Sequence, residues 1–394
     1  MNKKLIIDIT ELVTWEGKLT GVPRVMNELC MRFEKQNKNV IFAKWDNIEK
    51  CLVKTSRKEV TTNQSSLIKG LKLDILSTKV FKNKKDRKKA VSFHEGDLLM
   101  VLADWHSSDI NFTEELLRLH NTKGVKLIQL VHDLLPIVTP QYAGHATEYV
   151  TNYAKKIYPI CSSIIAVSEN TKKDITEWLS INKLKVPPID VIRLGDDFQT
   201  LKPVKPPELE EYGSENMQYI LCVGTIEARK NHMLLYYVYK LAYSKNIILP
   251  KLIIVGRVGW HAEDIYERLT NDPEIKNNII VQKNINDNEL AWLYKNSLFS
   301  IYPSFYEGWG LPVAESIRYG KVCISSNTSS LPEIAGDLIE YFNPFSTDEC
   351  LKLIVKLMDI NVLKMATKKL SKYKITSWDN TFQSIQLIME KYER

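Results

Sequence analysis

The chain has 394 residues, of which 44% are hydrophobic and 26% charged, a balance that is ordinary for a soluble globular protein. At this length one hydrophobic core is unusual, so two domains are expected. Apolar runs reach only roughly 6–8 residues, against the ~20 of a membrane-spanning helix, which excludes a spanning segment. The first residues, MNKKLIIDIT, read as a strand rather than a signal peptide. The six cysteines form no CxxC pair, which predicts buried, reduced thiols and no zinc site.

The net charge of +7 is concentrated in one segment, residues 69–90, which holds nine basic and two acidic residues. One interpretation is a solvated loop. The other is contact with an anionic membrane surface, where each lysine or arginine contributes about 1 kcal/mol and interspersed leucines provide a shallow apolar face. Nucleic acid is not an expected partner, because no aromatic residues alternate with these lysines and no binding motif accompanies them.

The first half of the chain alternates apolar runs with amphipathic ones. Runs that are apolar on both faces predict strands of a parallel sheet covered by helices. They are KLIIDIT, VIFAKW, DLLMVLAD, KLIQLVHD, SIIAVS and IDVIRLG. Helices are predicted at GVPRVMNELCMRFEKQ and at SENTKKDITEWL, where Ser168 is placed to cap the helix. Residues 1–197 are therefore predicted to form the first domain.

A proline-rich, charged stretch without periodicity follows and predicts a linker at residues 198–216. The strand pattern then restarts with YILCVG, KLIIVG, NIIVQKN, LFSIYPS, KVCISS and LIEYFN, giving a second domain at residues 217–374. Residues 375–394 predict an amphipathic helix that packs back on the first domain. Such alternation in both halves indicates two doubly wound α/β domains, whose ligands bind at the carboxyl ends of the strands and hence in a cleft between the domains.

The turn after YILCVG places Arg229 and Lys230 before a predicted helix, with Asn231 as its cap. A helix N-terminus carries free N–H groups and partial positive charge, so this turn is suited to a phosphate group. Arginine can also bind phosphate through two hydrogen bonds. The alternative is a pair of solvated surface charges.

The stretch SFYEGWGLPVAES, residues 304–316, joins two carboxylates to glycines and a proline. Gly308 and Gly310 permit unusual φ values and close approach of a ligand, and the following proline suits the first turn of a helix. Glu307 and Glu315 would lie ~12 Å apart if the segment were all helical. The carboxylates of a retaining glycosidase lie only ~5–5.5 Å apart, so these two are interpreted as separate anchors for one ligand. The alternative for Glu315 is a stabilising acid early in a helix.

Several motifs, in order, resemble family 4 of the retaining nucleotide-sugar glycosyltransferases. They are VHDLLPI, AVSENTKKDI, VGTIEARKNH, IIVGRVGW, the E-x7-E signature in SFYEGWGLPVAES, SSLPEIAGD and IEYFNP. The resemblance implies an α/β GT-B fold, with two Rossmann-like doubly wound domains facing across a cleft. The N-terminal domain would then bind the acceptor and the C-terminal domain the nucleotide-sugar.

The resemblance also implies roles for individual residues. Arg229 and Lys230 would hold the donor diphosphate, and Glu315 would bind the ribose hydroxyls. Glu307 and the backbone of Gly308, Trp309, Gly310 and Leu311 would hold the transferred sugar. His132, at the end of KLIQLVH, matches the family's active-site histidine, although a histidine at a strand end is more often structural. Gly21 matches the glycine loop that faces the diphosphate.

The resemblance to family 4 implies transfer with retention, giving an α-linked product from an α-linked donor, by a front-face mechanism. The chain has no Asp-x-Asp motif, so transfer without a metal or other cofactor is expected, with the two basic residues stabilising the leaving diphosphate. The segments TIEARKN and VGRVGW resemble those of family members that use GDP-mannose. Other GDP-sugars, dTDP-sugars and UDP-sugars remain alternative donors. The acceptor would be a glycan or a polyprenyl-diphosphate-linked glycan of O-antigen or capsule synthesis.

The same resemblance predicts a cytoplasmic enzyme bound peripherally to the inner face of the membrane through residues 69–90. Two rival classes remain open. One is another enzyme on this fold, a sugar phosphorylase or a non-hydrolysing epimerase, although no pyridoxal lysine site is identifiable. The other is a catalytically silent module that binds nucleotide-sugars.

Overall fold

The structure, a computed structural model, describes residues 3–16, 19–36, 39–60, 90–103, 108–144, 146–197, 201–207, 209, 217–259 and 262–393. All of the basic segment 69–90 except its last residue lies outside these ranges. The chain divides into two compact units: unit 1 is Met1–Leu194 with Trp378–Arg394, and unit 2 is Gly195–Ser377. Each unit is considered by itself below.

Unit 1 is built on a seven-stranded sheet with the order β3-β2-β1-β4-β5-β6-β7. Its strands are Leu5–Asp8 (β1), Val40–Asp46 (β2), Cys51–Lys54 (β3), Leu98–Val101 (β4), Lys126–Val131 (β5), Ser163–Ala166 (β6) and Ile189–Val191 (β7). All six predicted strands are confirmed. Neighbouring strands are parallel except β2 and β3, and β3 is an antiparallel edge strand that the sequence analysis missed.

The helices of unit 1 cover this sheet, whose strands β1, β4 and β6 are buried along their full length. They are Thr10–Thr14 (α1), Val22–Gln36 (α2), Ile110–Lys123 (α3), Leu135–Val138 (α4), Ala146–Ile157 (α5), Glu169–Ile181 (α6) and, at the C-terminal end, Trp378–Glu393, which is α14 in chain order. The predicted cap of α6 is confirmed, because the Ser168 hydroxyl accepts the Thr171 N–H at 3.0 Å.

Unit 2 contains a six-stranded, all-parallel sheet with the order β10-β9-β8-β11-β12-β13. Its strands are Tyr219–Val223 (β8), Lys251–Val255 (β9), Ile279–Gln282 (β10), Phe299–Tyr302 (β11), Cys323–Ser326 (β12) and Tyr341–Phe342 (β13). All six were predicted. Counted within the unit, the order is 3-2-1-4-5-6, which is that of a dinucleotide-binding doubly wound sheet.

The helices of unit 2 are His232–Ser244 (α7), Glu263–Asn271 (α8), Asp287–Asn296 (α9), Leu311–Arg318 (α10), Leu331–Ala335 (α11), Thr347–Met358 (α12) and Ile360–Lys369 (α13). Side chains of Asn286, Ser346 and Asp359 cap α9, α12 and α13. By contrast, α7 and α10 each begin after a left-handed residue and lack a side-chain cap. Their first N–H groups are therefore not taken by a capping side chain.

The boundary between the units falls at Leu194 and Gly195, three residues before the predicted start of the linker. The C-terminal helix α14 belongs to unit 1, where Phe382 packs edge-on against Phe33 of α2 with ring centroids 4.8 Å apart. All six cysteines are free thiols, and all are buried except Cys51, which is half-buried. Among the described residues, no helix combines the length and apolar character needed to cross a bilayer.

Candidate active site

The candidate site of unit 2 lies where the strand order reverses, between β8 and β11. In a doubly wound sheet the loops that follow these two strands diverge to opposite faces and leave a crevice at their carboxyl ends, which is where ligands bind. Residues 224–231 follow β8, and residues 303–310 follow β11. These are the two stretches that the sequence analysis singled out for phosphate and sugar.

The loop after β8 is fixed by Asn231. This residue has a left-handed backbone with φ +57°, and its side-chain amide donates to the carbonyls of Pro303 at 3.1 Å and Pro344 at 2.9 Å. Asn231 is the N-cap residue of α7, as predicted, but its side chain makes no capping hydrogen bond, because the amide is turned towards the loops that follow β11 and β13. The Phe305 N–H also donates to the Arg229 carbonyl at 2.9 Å. The loops after β8 and β11 are thus fastened together.

The Glu307 carboxylate forms ion pairs with Arg229 and Lys230, the two cations predicted to bind phosphate. Its carboxylate lies 2.8 Å from Arg229 Nη1 and 2.6 Å from Lys230 Nζ. Burial raises the pKa of Glu307, but the two neighbouring cations outweigh burial and hold the pKa at about 2. Arg229 also pairs with Glu227 at 2.7 Å, so two cations and two carboxylates form a cluster without net charge.

Tyr302, the last residue of β11, completes this cluster and was not predicted. Lys230 Nζ donates to the phenolic oxygen at 2.6 Å, and the phenol donates to Glu307 Oε1 at 2.9 Å. Burial and the adjacent Glu307 carboxylate both raise the pKa of Tyr302, so the phenol keeps its proton. Burial together with the Arg229 charge lowers the pKa of Lys230, and Glu307 partly offsets this shift.

The glycine-rich loop is shaped by backbone contacts. Ser329 Oγ accepts the Glu307 N–H, and Ser330 Oγ lies 2.9 Å from the carbonyls of both Glu307 and Trp309. Gly310 has φ +114°, and a Cβ there would lie 2.6 Å from a leucine methyl group on α11. The unusual backbone predicted for the two glycines is therefore confirmed at Gly310, whereas Gly308 does not have a positive φ.

Helix α10 begins at Leu311 with proline in its first turn, as predicted, and ends before Gly320. Glu315 is buried on this helix, and Tyr294 of α9 donates its phenolic O–H to Glu315 Oε2 at 2.9 Å. Glu307 and Glu315 therefore have different hydrogen-bond partners within the protein. Their role as two separate anchors for one ligand stays a prediction. Tyr294 was not predicted, since nothing in its local sequence indicates a partner 21 residues away.

In unit 1, His132 directly follows β5. Its Nε2 lies 2.9 Å from the Leu102 carbonyl, an acceptor, so Nε2 carries the proton and Nδ1 is the acceptor of the ring. Burial lowers the pKa of His132 to about 4, although the bond to the carbonyl opposes the shift. The imidazole is neutral at physiological pH.

Gly21 lies at the start of α2, also in unit 1. It has φ +56°, and its carbonyl accepts the N–H groups of Arg24 and Val25 at 3.1 and 3.2 Å. Of the predicted site residues, the structure brings Arg229, Lys230 and Glu307 into direct contact in unit 2. His132 and Gly21 belong to unit 1.

Comparison with known proteins identifies the domain that carries this cluster. The family model of glycosyl transferases group 1 matches residues 205–374. Residues 205–374 are therefore similar to a glycosyltransferase group 1 domain. Such a domain uses a nucleotide-sugar donor and a glycan acceptor, and all of the cluster lies within it.

Curated relatives are similar to about two thirds of the chain. The chain is 28% identical over 267 residues to O-antigen chain mannosyltransferase B of Escherichia coli, covering 66% of this chain and 69% of the relative. It is 24% identical over 272 residues to the serotype-specific mannosyltransferase WbdA of Escherichia coli, covering 65% of this chain. That second match spans only 32% of the relative.

Solved structures extend the likeness to the whole chain. Sucrose-phosphate synthase from Thermosynechococcus elongatus matches with a TM-score of 0.65 and 14% identity, covering 99% of this chain and 98% of that one. A glycosyltransferase from Rickettsia africae ESF-5 matches with a TM-score of 0.62 and 17% identity, covering 100% and 99%. The predicted fold class is thereby confirmed as GT-B, with two Rossmann-like units.

Proposed function

We propose that the protein transfers a mannosyl group from GDP-mannose to a glycan or polyprenyl-diphosphate-linked glycan in O-antigen synthesis. The observation that carries this proposal is the contact of Arg229 and Lys230 with Glu307 at the switch point of unit 2. It joins the groups suited to a diphosphate to the group suited to the adjoining sugar. The names of two curated relatives as mannosyltransferases support mannose as the sugar.

The proposed site binds the diphosphate with backbone as well as side chains. Helices α7 and α10 start on either side of the switch point without side-chain caps, so both present N–H groups and partial positive charge to an anion. The Arg229 guanidinium adds a bidentate donor. These groups stabilise the charge that develops on the leaving diphosphate, and we therefore propose transfer without a metal ion. Retention of configuration is proposed from the resemblance to family 4.

Glu315 and His132 complete the proposal. Tyr294 fixes the Glu315 carboxylate, which suits it to accept hydrogen bonds from both ribose hydroxyls of the nucleotide. His132, neutral and with Nε2–H bonded to a backbone carbonyl, presents an acceptor to a hydroxyl of the transferred sugar. We further propose that the enzyme works at the inner face of the cytoplasmic membrane, with residues 69–90 among the contacts to anionic lipid.

The first test is thermal stabilisation by GDP, UDP, dTDP and the corresponding sugars, with and without EDTA. A ligand that binds only the folded protein stabilises it by about 2.7 kcal/mol at 100 times its Kd. We expect a shift with GDP and GDP-mannose that EDTA leaves unchanged and that Glu315→Ala removes. Glu340→Ala, which alters a partly exposed carboxylate of the same unit, is the matched control and should retain the shift.

Other outcomes are equally informative. A shift with UDP or dTDP alone would contradict GDP-mannose while leaving the site in place, and loss of the shift in EDTA would contradict the metal-independent proposal. GDP release that depends on an added glycan acceptor distinguishes a transferase from a silent binding module. Binding of GDP-mannose without such release, over a panel of O-antigen acceptors, would favour the module.

A further inference from the structure

Unit 2 has a basic surface of its own within the described residues. It consists of the outer face of helix α13 and the segment that follows it to Ile375, here called the α13 surface. Residues 360–375 include no aspartate, glutamate or arginine. Its lysines, all exposed, are Lys364, Lys368, Lys369, Lys372 and Lys374.

None of these five lysines forms an ion pair with another described residue. The neighbouring helix α12 behaves differently: Lys352 pairs with Asp348 at 2.6 Å, and Lys356 pairs with Glu340 at 2.7 Å. The basic side chains of α12 are thus neutralised locally, whereas the α13 surface keeps a charge of +5. An uncompensated charge of this density attracts an anionic partner.

Exposed apolar side chains accompany these lysines. Sixteen large apolar side chains are exposed among the described residues, and five of them fall within the 21 residues from 355 to 375. Met365 is 71% exposed, Ile360 55% and Ile375 51%. A solvated lysine-rich helix has no need of such side chains on its outer face.

Helical geometry places the two kinds of side chain together on α13. Residues four apart lie on the same face, so Ile360, Lys364 and Lys368 form one row along the helix. Met365 and Lys369 form the adjacent row, while Leu363 is buried against the unit. The exposed face therefore carries lysines beside a methionine and an isoleucine.

We propose that the α13 surface docks on an anionic phospholipid membrane. Lysine ammonium groups reach lipid phosphates while their aliphatic stems, with Met365 and Ile360, enter the interface. Nucleic acid fits less well, because the stretch has no arginine for bidentate contacts, and its one aromatic residue, Tyr373, bonds to the buried Asp196 carboxylate instead. The surface is separate in sequence from residues 69–90, and the inference does not rest on the proposed transferase activity.

The test is co-sedimentation of the full chain with vesicles of phosphatidylcholine alone or mixed with phosphatidylglycerol. In one variant the five lysines of the α13 surface are changed to glutamine. The matched control changes five other exposed lysines that have no ion pair with a described residue. They are Lys123, Lys185, Lys202, Lys276 and Lys295.

Each lysine near an anionic surface contributes about fivefold to binding, so the α13 variant should lose at least ~100-fold in affinity for the mixed vesicles. The control, with the same net charge, should lose far less. Met365→Ser with Ile360→Ser should weaken binding while every lysine is kept. The α13 variant, its control and the Met365→Ser, Ile360→Ser variant all alter exposed side chains, so their melting temperatures should match that of the wild type.

Three results would overturn the proposal. The first is an equal loss in the α13 variant and its control, which would reduce the effect to net charge. The second is wild-type binding by the α13 variant together with lost binding when Lys82, Lys84, Lys85, Arg87, Lys88 and Lys89 are neutralised, which would assign the membrane contact to residues 69–90. The third is displacement of the protein from vesicles by duplex DNA with the α13 lysines required for DNA binding.

Discussion

Glu307 makes the stability of the protein depend on pH in a way that Glu307→Gln should remove. The carboxylate has a pKa of about 2 in the folded protein against 4.5 for an ordinary glutamate. A carboxylate with a lowered folded-state pKa stabilises the protein above pH 4.5, and this stabilisation is lost as the pH falls towards 2. A difference of about 2.5 pH units corresponds to about 3 kcal/mol, of which about 2 kcal/mol is lost by pH 3.

Glu307→Gln removes the titrating group and leaves the Lys230 ammonium beside a neutral amide. Breaking a buried ion pair from one side costs about 3–5 kcal/mol, so the variant should be that much less stable than wild type at pH 7. As the pH is lowered to 3, the wild type loses its additional 2 kcal/mol or so, and the variant does not. The gap between the two proteins should narrow accordingly.

Urea unfolding followed by circular dichroism at pH 7, 5, 4 and 3 measures this gap. Other carboxylates contribute equally to both proteins and cancel in the difference. Glu340→Gln is the control, because it breaks an exposed pair with Lys356 of the kind worth at most about 1 kcal/mol. A gap between wild type and Glu307→Gln that stays constant from pH 7 to pH 3 would refute the reasoning.

Three further predictions concern two residues of unit 2 and one of unit 1. Gly310 has φ +114°, and Gly310→Ala places a methyl group 2.6 Å from a leucine side chain. This variant should lower the free energy of unfolding, measured by heat or urea, by about 2–4 kcal/mol. Gly320→Ala, with open space around its Cβ, should lower it by only about 1–2 kcal/mol. Tyr294→Phe removes the hydrogen bond to Glu315 and should raise the KM for the nucleotide-sugar about tenfold; an unchanged KM would contradict the ribose role of Glu315. Because the pKa of His132 is about 4, turnover should show no titration of this ring between pH 6 and 8, and an acidic limb near pH 6.5 that disappears in His132→Asn would contradict its neutral state.

The strands could be predicted because a parallel sheet buries both faces of each strand, and the sequence then carries uninterrupted apolar runs. This holds for most of the twelve predicted strands, whereas β2 and β7 are largely half-buried and contain charged residues. The strand that was not predicted is β3, Cys51–Lys54, which is short, ends in an exposed lysine and pairs antiparallel at the edge of its sheet. The segment that could indicate this strand is only four residues long. The turn that joins it to β2 contains neither glycine nor proline, so no turn residue marks where the strand begins.

The contacts within the site could be predicted less well than its location. Arg229 and Lys230 were assigned to a phosphate and Glu307 to a sugar, but their direct pairing joins residues 77 or more apart in sequence. Strand order decides that contact, since it makes the loop after β8 the neighbour of the loop after β11. Asn231 is the predicted N-cap residue of α7, but its side chain does not cap the helix, because its left-handed backbone turns the amide away from the first turn.

The neutral cluster has a consequence for how the proposed donor binds. Two half-buried cations without carboxylates would repel each other and lose hydration, so Glu307 and Glu227 stabilise the arrangement before any ligand enters. A diphosphate then gains little from net charge, and binding depends on the N–H groups of α7 and α10 and on exchange of carboxylate for phosphate at Arg229. As the bond to the sugar breaks, negative charge on the leaving diphosphate increases, and the same guanidinium interacts with it more strongly. Interactions that strengthen in this way lower the barrier more than they tighten donor binding, which suits a site that must release its nucleotide after each transfer.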